Sequence, residues 1–269
     1  ELRRDEGWVG EAAARPPYWG AWGQALQFAL PAHRTLLRRQ RGVLVHSRWA
    51  AGVIAEGDSE IAVRTVPMGV PLPAAARVSE GRAFRERWGL PLEAPLLGSF
   101  GFQTPIKRAA EAIFALASPG LEHVHLLIAG AVASILELDH IAAAAGVGAR
   151  IHVTGFLEFA EFEAAIAACD LCLNLRYPTA GETSASLLRV LAAGRPAVVS
   201  DHGHFAELPA EVAVRVPLGD GELEALAATL RQLVGDPERL ATMGEAARLY
   251  VATEHHPDVA ARAILAAAE

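Results

Sequence analysis

The chain has 269 residues, of which 52% are hydrophobic and 20% charged, with 24 basic and 31 acidic side chains, so its formal net charge is −7. That composition excludes a disordered chain and favours one large globular unit or one unit plus part of a second. A net negative chain without a basic block also makes a poor binder of nucleic acid.

The longest apolar stretches, such as Leu126 to Leu136, fall well short of the roughly 18 to 20 residues that span a bilayer. No charged-then-apolar leader opens the chain at Glu1, and the two cysteines, Cys169 and Cys172, suit a reducing compartment, so the cytosol is the default. Of the basic residues, Lys107 is the single lysine and all others are arginine.

In chain order, an amphipathic lead-in covers Tyr18 to Arg41. Two short strands follow, Gly42 to His46 and Ala62 to Val66, flanking a helix near Trp49 to Ala55. This βαβ piece is too small to be a domain, and reads as the last part of an α/β domain whose beginning is absent. The Pro-rich stretch Pro67 to Pro73 reads as an interdomain linker.

From Leu96 onward, short apolar runs alternate with helical patterns, the signature of a parallel sheet. The strands are Pro95 to Phe100, His123 to Ala129, Arg150 to Thr154, Leu171 to Leu175, Pro196 to Ser200 and Val212 to Val216. The helices are Ile106 to Leu116, Ser134 to Ala145, Phe159 to Ala168, Ser184 to Ala193 and Leu223 to Val234. The strands lack clean alternation, as strands covered on both faces do. Two helices finish the chain after Pro237, the last from Pro257 to Ala268. The fold expected is α/β, a doubly wound parallel sheet. The expected division is 1–73 for an N-terminal remnant and linker, 74–248 for the sheet domain and 249–269 for a helix returning toward the N-terminal part.

Two loops can carry chemistry. Gly101-Phe102-Gln103-Thr104-Pro105-Ile106-Lys107-Arg108 follows a strand and opens a helix. In open parallel sheets, ligands bind outside the carboxyl ends of strands, and a Lys in the first helical turn reaches a phosphate as a compact charge. The loop lacks the Gly-x-Gly-x-x-Gly and Walker patterns, which disfavours nicotinamide cofactors and P-loop chemistry. The second loop, Arg176 through Ser186, also joins a strand to a helix. Free N–H groups and the dipole at such a helix start favour a diphosphate. Glu182 would repel phosphate but can accept hydrogen bonds from sugar hydroxyls. The bland alternative is that Thr183 or Ser184 caps the helix and Glu182 is solvated.

Cys169-x-x-Cys172 has a redox spacing, but at a buried strand entry it reads as core. His202 and His204 follow a strand end and are candidates to line the cleft, although exposed loop histidines are commoner. His255 and His256 read as solvated, and Trp8, Trp19 and Trp22 as packing for the absent half.

The series His46-Ser47, Val66-Pro67-Met68-Gly69-Val70, Gly101-x5-Lys107, Leu127-Ile128-Ala129-Gly130, Val153-Thr154-Gly155-Phe156-Leu157, Ala168-Cys169-Asp170-Leu171, Gly181-Glu182-Thr183-Ser184 and Ala192-Ala193-Gly194-Arg195-Pro196 resembles retaining glycosyltransferases of family 4. The resemblance implies the GT-B fold, with a Rossmann-like sheet domain preceded by a fragment of a second Rossmann-like domain. It implies a hexosyltransferase whose substrate is a UDP- or GDP-sugar, with no cofactor and no metal. The acceptor, a glycan, lipid or small molecule, stays open. So does a peripheral contact with the inner face of the membrane.

Carried over by position, the resemblance assigns the donor diphosphate to Gly101 and Lys107, and gives the lone lysine its reason. It assigns the nucleobase surroundings to Gly155, Phe156 and Leu157, and the hexose and diphosphate to Glu182 with Thr183, Ser184, Ala185 and Ser186. Catalytic residues are expected in the N-terminal domain and none is placed on this chain. There are departures. Phe102 stands where the family usually has a second phosphate-binding Arg, which leaves Arg108 as a substitute that points elsewhere on a helix. Arg189 stands where the family has the second of two Glu residues, the one that binds ribose, while Glu182 is shifted by one from the first. The alternatives are a non-catalytic nucleotide-sugar-binding or assembly module, or another GT-B enzyme such as a nucleotide-sugar epimerase or a phosphorylase.

Overall fold

The computed structural model describes residues 34–73, 78–179 and 181–268. The lead-in before residue 34, with Trp8, Trp19 and Trp22, lies outside the described residues. The helices are α1 (Arg34–Leu37), α2 (Arg48–Gly57), α3 (Val78–Arg87), α4 (Ala109–Leu116), α5 (Leu138–Ala144), α6 (Phe159–Ala168), α7 (Ala185–Ala192), α8 (Glu222–Val234), α9 (Pro237–Glu254) and α10 (Pro257–Ala268). The strands are β1 (Val43–Val45), β2 (Val63–Thr65), β3 (Leu96–Phe100), β4 (His125–Ala129), β5 (Ile151–Gly155), β6 (Leu171–Asn174), β7 (Ala197–Ser200) and β8 (Ala213–Val216).

β3 to β8 form one six-stranded sheet in the order β5-β4-β3-β6-β7-β8, every pairing parallel. The chain winds outward from β3 in one direction and, from β6, in the other. The switch point therefore lies between the carboxyl ends of β3 and β6, where a crevice opens by geometry alone. The unbroken apolar runs are explained by their alternating faces. Leu97, Leu126, Ile128, Leu171 and Leu173 point to one core with α4, α5 and α8. Leu96, Phe100, Leu127 and Cys172 point to the other with α3 and α6.

α3 is absent from the sequence expectation. Half of its residues are charged, which hides its apolar stripe, and Gly81 looks like a helix breaker. The glycine has a packing reason: a Cβ there would lie 2.4 Å from the carbonyl oxygen of Ala167, where α3 crosses α6. The cysteines are core residues, as expected. Both are free and buried, and burial pushes the Cys172 thiol up.

β1, α2 and β2 form a separate two-stranded parallel unit. Ser47 caps α2 through the Ala50 amide, and Glu207, from the turn after β7, accepts from the amides of Arg48 and Trp49. The segment after β2 is packed, with Val66 and Val70 buried. His255, expected to be solvated, is instead 6% exposed. Its ring bonds the Met68 carbonyl at 3.0 Å and the Tyr250 hydroxyl at 3.1 Å, joining that segment to the α9–α10 junction. α10 lies over the same segment, where a Cβ on Gly69 would come 3.0 Å from that of Ala260, and reaches β2, where Arg64 donates to the Ala266 carbonyl at 3.2 Å.

At the amino-terminal end of the switch point, Arg85 of α3 is 8% exposed in its side chain and ion-pairs with Asp170 at 2.8 Å. It also donates to the carbonyls of Ala168, Pro91, Leu92 and Ala94. Asp170 in turn accepts from the Leu96 amide that starts β3. Arg85→Met would take the donor from four carbonyls and the ion-pair partner from Asp170. We expect a loss of about 3 kcal/mol or more in urea unfolding. A loss below about 1 kcal/mol, the level of an exposed ion pair, would contradict this role.

Candidate functional site

The loop after β3 is shaped by close backbone contacts. Gly101 has φ +87°, and a Cβ there would lie 2.8 Å from Lys107 Nζ. Gly130, after β4, has φ +146°, and a Cβ there would lie 2.3 Å from the Gly101 carbonyl oxygen. Both positions thus require glycine. Gln103 is buried and fixes the loop, its side chain donating to the Gly101 carbonyl and its amide to that of Ala131.

The helix expected from Ile106 to Leu116 is broken. Pro105–Lys107 is a single 3₁₀ turn, Arg108 takes φ +55°, and α4 begins only at Ala109. A left-handed conformation costs a non-glycine residue roughly 1 to 2 kcal/mol, so tertiary contacts must sustain it. Arg108 donates to both carboxylate oxygens of Glu222, at 2.9 and 2.7 Å, and lies 3.2 Å from Glu111. Arg108, offered as a substitute phosphate-binding cation, is therefore committed to Glu222. The break aims Lys107 the other way, so that its ammonium donates to the carbonyl of Phe100 at the end of β3. Burial, and then the charge of Arg176 beside it, push the Lys107 pKa down to about 7.

The loop after β6 closes on the first: the Tyr177 amide donates to the Ile106 carbonyl at 2.9 Å. Arg176 is held by its amide on Ser200 Oγ. Its side chain is 12% exposed and meets Glu182 through one nitrogen at 3.4 Å. Burial lowers its pKa as well. Glu182 also accepts from the Thr179 hydroxyl at 2.8 Å, and the same hydroxyl accepts from the Gly181 amide. Ser184 caps α7 through the Leu187 amide and bonds Asn174, with Ser186 Oγ 3.1 Å away. Asn174 Nδ2, Arg176 Nε and Thr183 Oγ1 are buried and have no hydrogen-bond partner. Such orphans are rare in folded proteins and cluster here at one end of one strand. Ala185 is the exposed first residue of α7, and Ala180 lies outside the described residues.

Gly155 ends β5 with φ +70°, and Phe156 beyond it is 74% exposed. Leu157 is 8% exposed and packs in the core with Phe100, so only its backbone can face a ligand. Arg189 stacks over the Phe159 ring, 4.8 Å from its centroid. His202 stands edge-on between Trp49 and Tyr177. His204 is 5% exposed with neither ring nitrogen bonded, and burial lowers its pKa. Among these groups, the structure brings Gly101, Lys107 and Ser186 together, with Arg176 and Glu182 alongside. Sequence reasoning gave Arg176 no role, though a cation ending an apolar switch-point strand was a usable signal. A cavity of about 580 Å³ opens at the amino-terminal ends of the central strands, beside Arg85 and Asp170, away from this convergence.

A sequence model of the family described as glycosyl transferases group 1 matches residues 96–236. The chain is 28% identical over 234 residues to a 2-deoxystreptamine glucosyltransferase from Streptomyces kanamyceticus, covering 83% of this chain and 59% of the relative. The chain thus spans about three-fifths of that relative's length. Among solved structures it resembles sucrose-phosphate synthase from Thermosynechococcus elongatus, with TM-score 0.73 and 20% identity over 93% of this chain and 63% of that one. It also resembles HepE from Anabaena, solved with UDP and glucose, with TM-score 0.74 and 20% identity over 94% of this chain and 68% of that one. These likenesses establish the GT-B glycosyltransferase fold.

Because Lys107 is the only lysine, reductive methylation with ¹³C-formaldehyde yields a single side-chain resonance besides that of the chain's amino terminus. Its pH titration should have a midpoint near 7. A midpoint near the ordinary lysine value of about 10.4 would contradict the buried placement beside Arg176.

Proposed function

The chain belongs to the group 1 glycosyl transferases, and from that premise we propose that it forms the donor-binding part of a retaining family 4 enzyme transferring a hexose from a nucleoside-diphosphate sugar. The observation that carries this reading is the convergence of Lys107 and Arg176, two half-buried cations, at the carboxyl ends of β3 and β6. The start of α7 lies beside them, Ser186 near Gly101 and Lys107. Two cations and a helix amino terminus match a diphosphate in charge and in hydrogen-bonding capacity.

In this reading, Lys107, Arg176 and the first turn of α7 take up the charge that develops on the leaving diphosphate. Preorganised groups of this kind do the work that a divalent cation does in other transferases. Glu182 is the hexose contact, because an ionised carboxylate accepts from sugar hydroxyls. The exposed Phe156 and the left-handed Gly155 border the nucleobase. Thr183 to Ser186 supply backbone N–H groups to the phosphates. The Anabaena structure with UDP and glucose favours UDP, and with the Streptomyces glucosyltransferase favours glucose, over a GDP-sugar. The acceptor can be a glycan, a lipid or a small molecule. Among the described residues no helix is long and apolar enough to cross a membrane. We place the reaction in the cytoplasm, with a lipid acceptor reached from the membrane surface.

Thermal unfolding against UDP, GDP, ADP and dTDP tests the reading. A ligand at about 100 times its dissociation constant adds roughly 2.7 kcal/mol of stability. One nucleotide should raise the midpoint selectively, and Lys107→Ala should weaken its binding by roughly tenfold or more, the loss of one charge-assisted contact. An unchanged affinity in Lys107→Ala would overturn the site. No shift with any nucleotide would favour an assembly module.

A further inference from the structure

The pairing of Arg176 with Glu182 is poor for two charged groups so placed. A guanidinium carries five N–H donors in a planar fork suited to two oxygens at once. Arg176 spends one nitrogen on one Glu182 oxygen, at 3.4 Å, beyond the usual range for a charge-assisted bond, and its Nε has no partner. It also faces a like charge, Lys107, on the other loop. Glu182 is better served elsewhere, by the Thr179 hydroxyl at 2.8 Å, and its side chain keeps 33% exposure. Its position is therefore sustained without Arg176. The cation is under-used while the carboxylate is drawn toward it.

We propose that Arg176 exchanges partners when the donor binds: the diphosphate takes the guanidinium fork from Glu182, and the released carboxylate then accepts from the hexose hydroxyls. This rests on the donor-site reading above and adds an order to it. The sugar is gripped only after the diphosphate is seated, so Glu182 opposes a bare nucleotide and supports a sugar nucleotide. The opposition is electrostatic and local. With Arg176 neutralised by Glu182, Lys107 alone faces the incoming anion. With the diphosphate present, each cation acquires an oxygen acceptor and neither loop keeps an unanswered charge. Thr179, at hydrogen-bond distance from Glu182 and from the Gly181 amide, holds the carboxylate in place through the exchange.

Calorimetric titration of the intact chain with UDP, UDP-glucose, GDP and GDP-glucose separates the possibilities. Arg176→Met should weaken the preferred nucleotide and its sugar ester by tenfold or more, with Arg176→Lys intermediate, because the charge is kept but the fork is lost. Glu182→Gln should strengthen bare nucleotide binding severalfold and weaken the sugar ester relative to it. In the Arg176→Met background, the gain for bare nucleotide should disappear. That coupling is what a merely structural Glu182 would not produce. Equal weakening of nucleotide and sugar ester by Glu182→Gln would overturn the exchange and make Glu182 a fixed anchor for Arg176. So would an affinity within twofold of wild type in a folded Arg176→Met. Either result, with Lys107→Ala still impaired, leaves the donor site standing. A wild-type chain that binds none of the four ligands overturns the donor site and the exchange together.

Discussion

Lys107 and Arg176 reach the same place from different loops, and the first is held by a backbone carbonyl and the second by one distant carboxylate oxygen. Buried cations are ordinarily paired, because desolvation penalises the charged form and a nearby like charge penalises it further. Here both penalties act, and the lowered Lys107 pKa is their measure. Three neighbouring polar atoms left without partners, on Asn174, Arg176 and Thr183, belong to the same region. In the proposed site, an anion with several oxygens would answer the charge of both cations.

The scaffold explains how the two charges come together. Parallel winding outward from β3 and from β6 leaves their carboxyl ends without a loop crossing between them, so the two following loops face each other. The bond from the Tyr177 amide to the Ile106 carbonyl then fixes their spacing. At the other end of the same strands, Arg85 and Asp170 bind the start of β3 to β6. One end of the switch point carries a well-bonded ion pair, and the other carries two sparsely paired cations. The βαβ unit before the sheet is tied to the site by Glu207 at the start of α2 and by Trp49, which stands against Gly181.

Most strands and helices of the sheet were legible, because an apolar run of strand length followed by a helical period reflects burial on two faces, as Leu96 and Leu97 show by pointing to different cores. α3 was not, since its stripe is short and its glycine serves a helix crossing. The break at Arg108 was not either: nothing local in Ile106-Lys107-Arg108-Ala109 requires φ +55°, and the cause is Glu222, distant in sequence. That break decides which of two adjacent cations faces the cleft. The family resemblance pointed to Lys107 and left Arg108 as the substitute second cation; Arg176 was missed because its position takes its meaning from the approach of two loops. His204 was read as a loop residue and His255 as solvated, and both are buried, because the turn after β7 packs under α2 and the α9–α10 junction folds back onto Met68.

In the proposed site, an anionic nucleotide binds against a lysine that is largely uncharged in the free protein above neutral pH. Titration calorimetry of UDP binding at pH 8, repeated in buffers of different ionisation enthalpy, reads this as proton uptake. Because an anion restores the charged form of Lys107, uptake approaching one proton per UDP is expected, absent in Lys107→Arg, whose guanidinium is always charged. Binding of UDP with a heat that is the same in every buffer would contradict it.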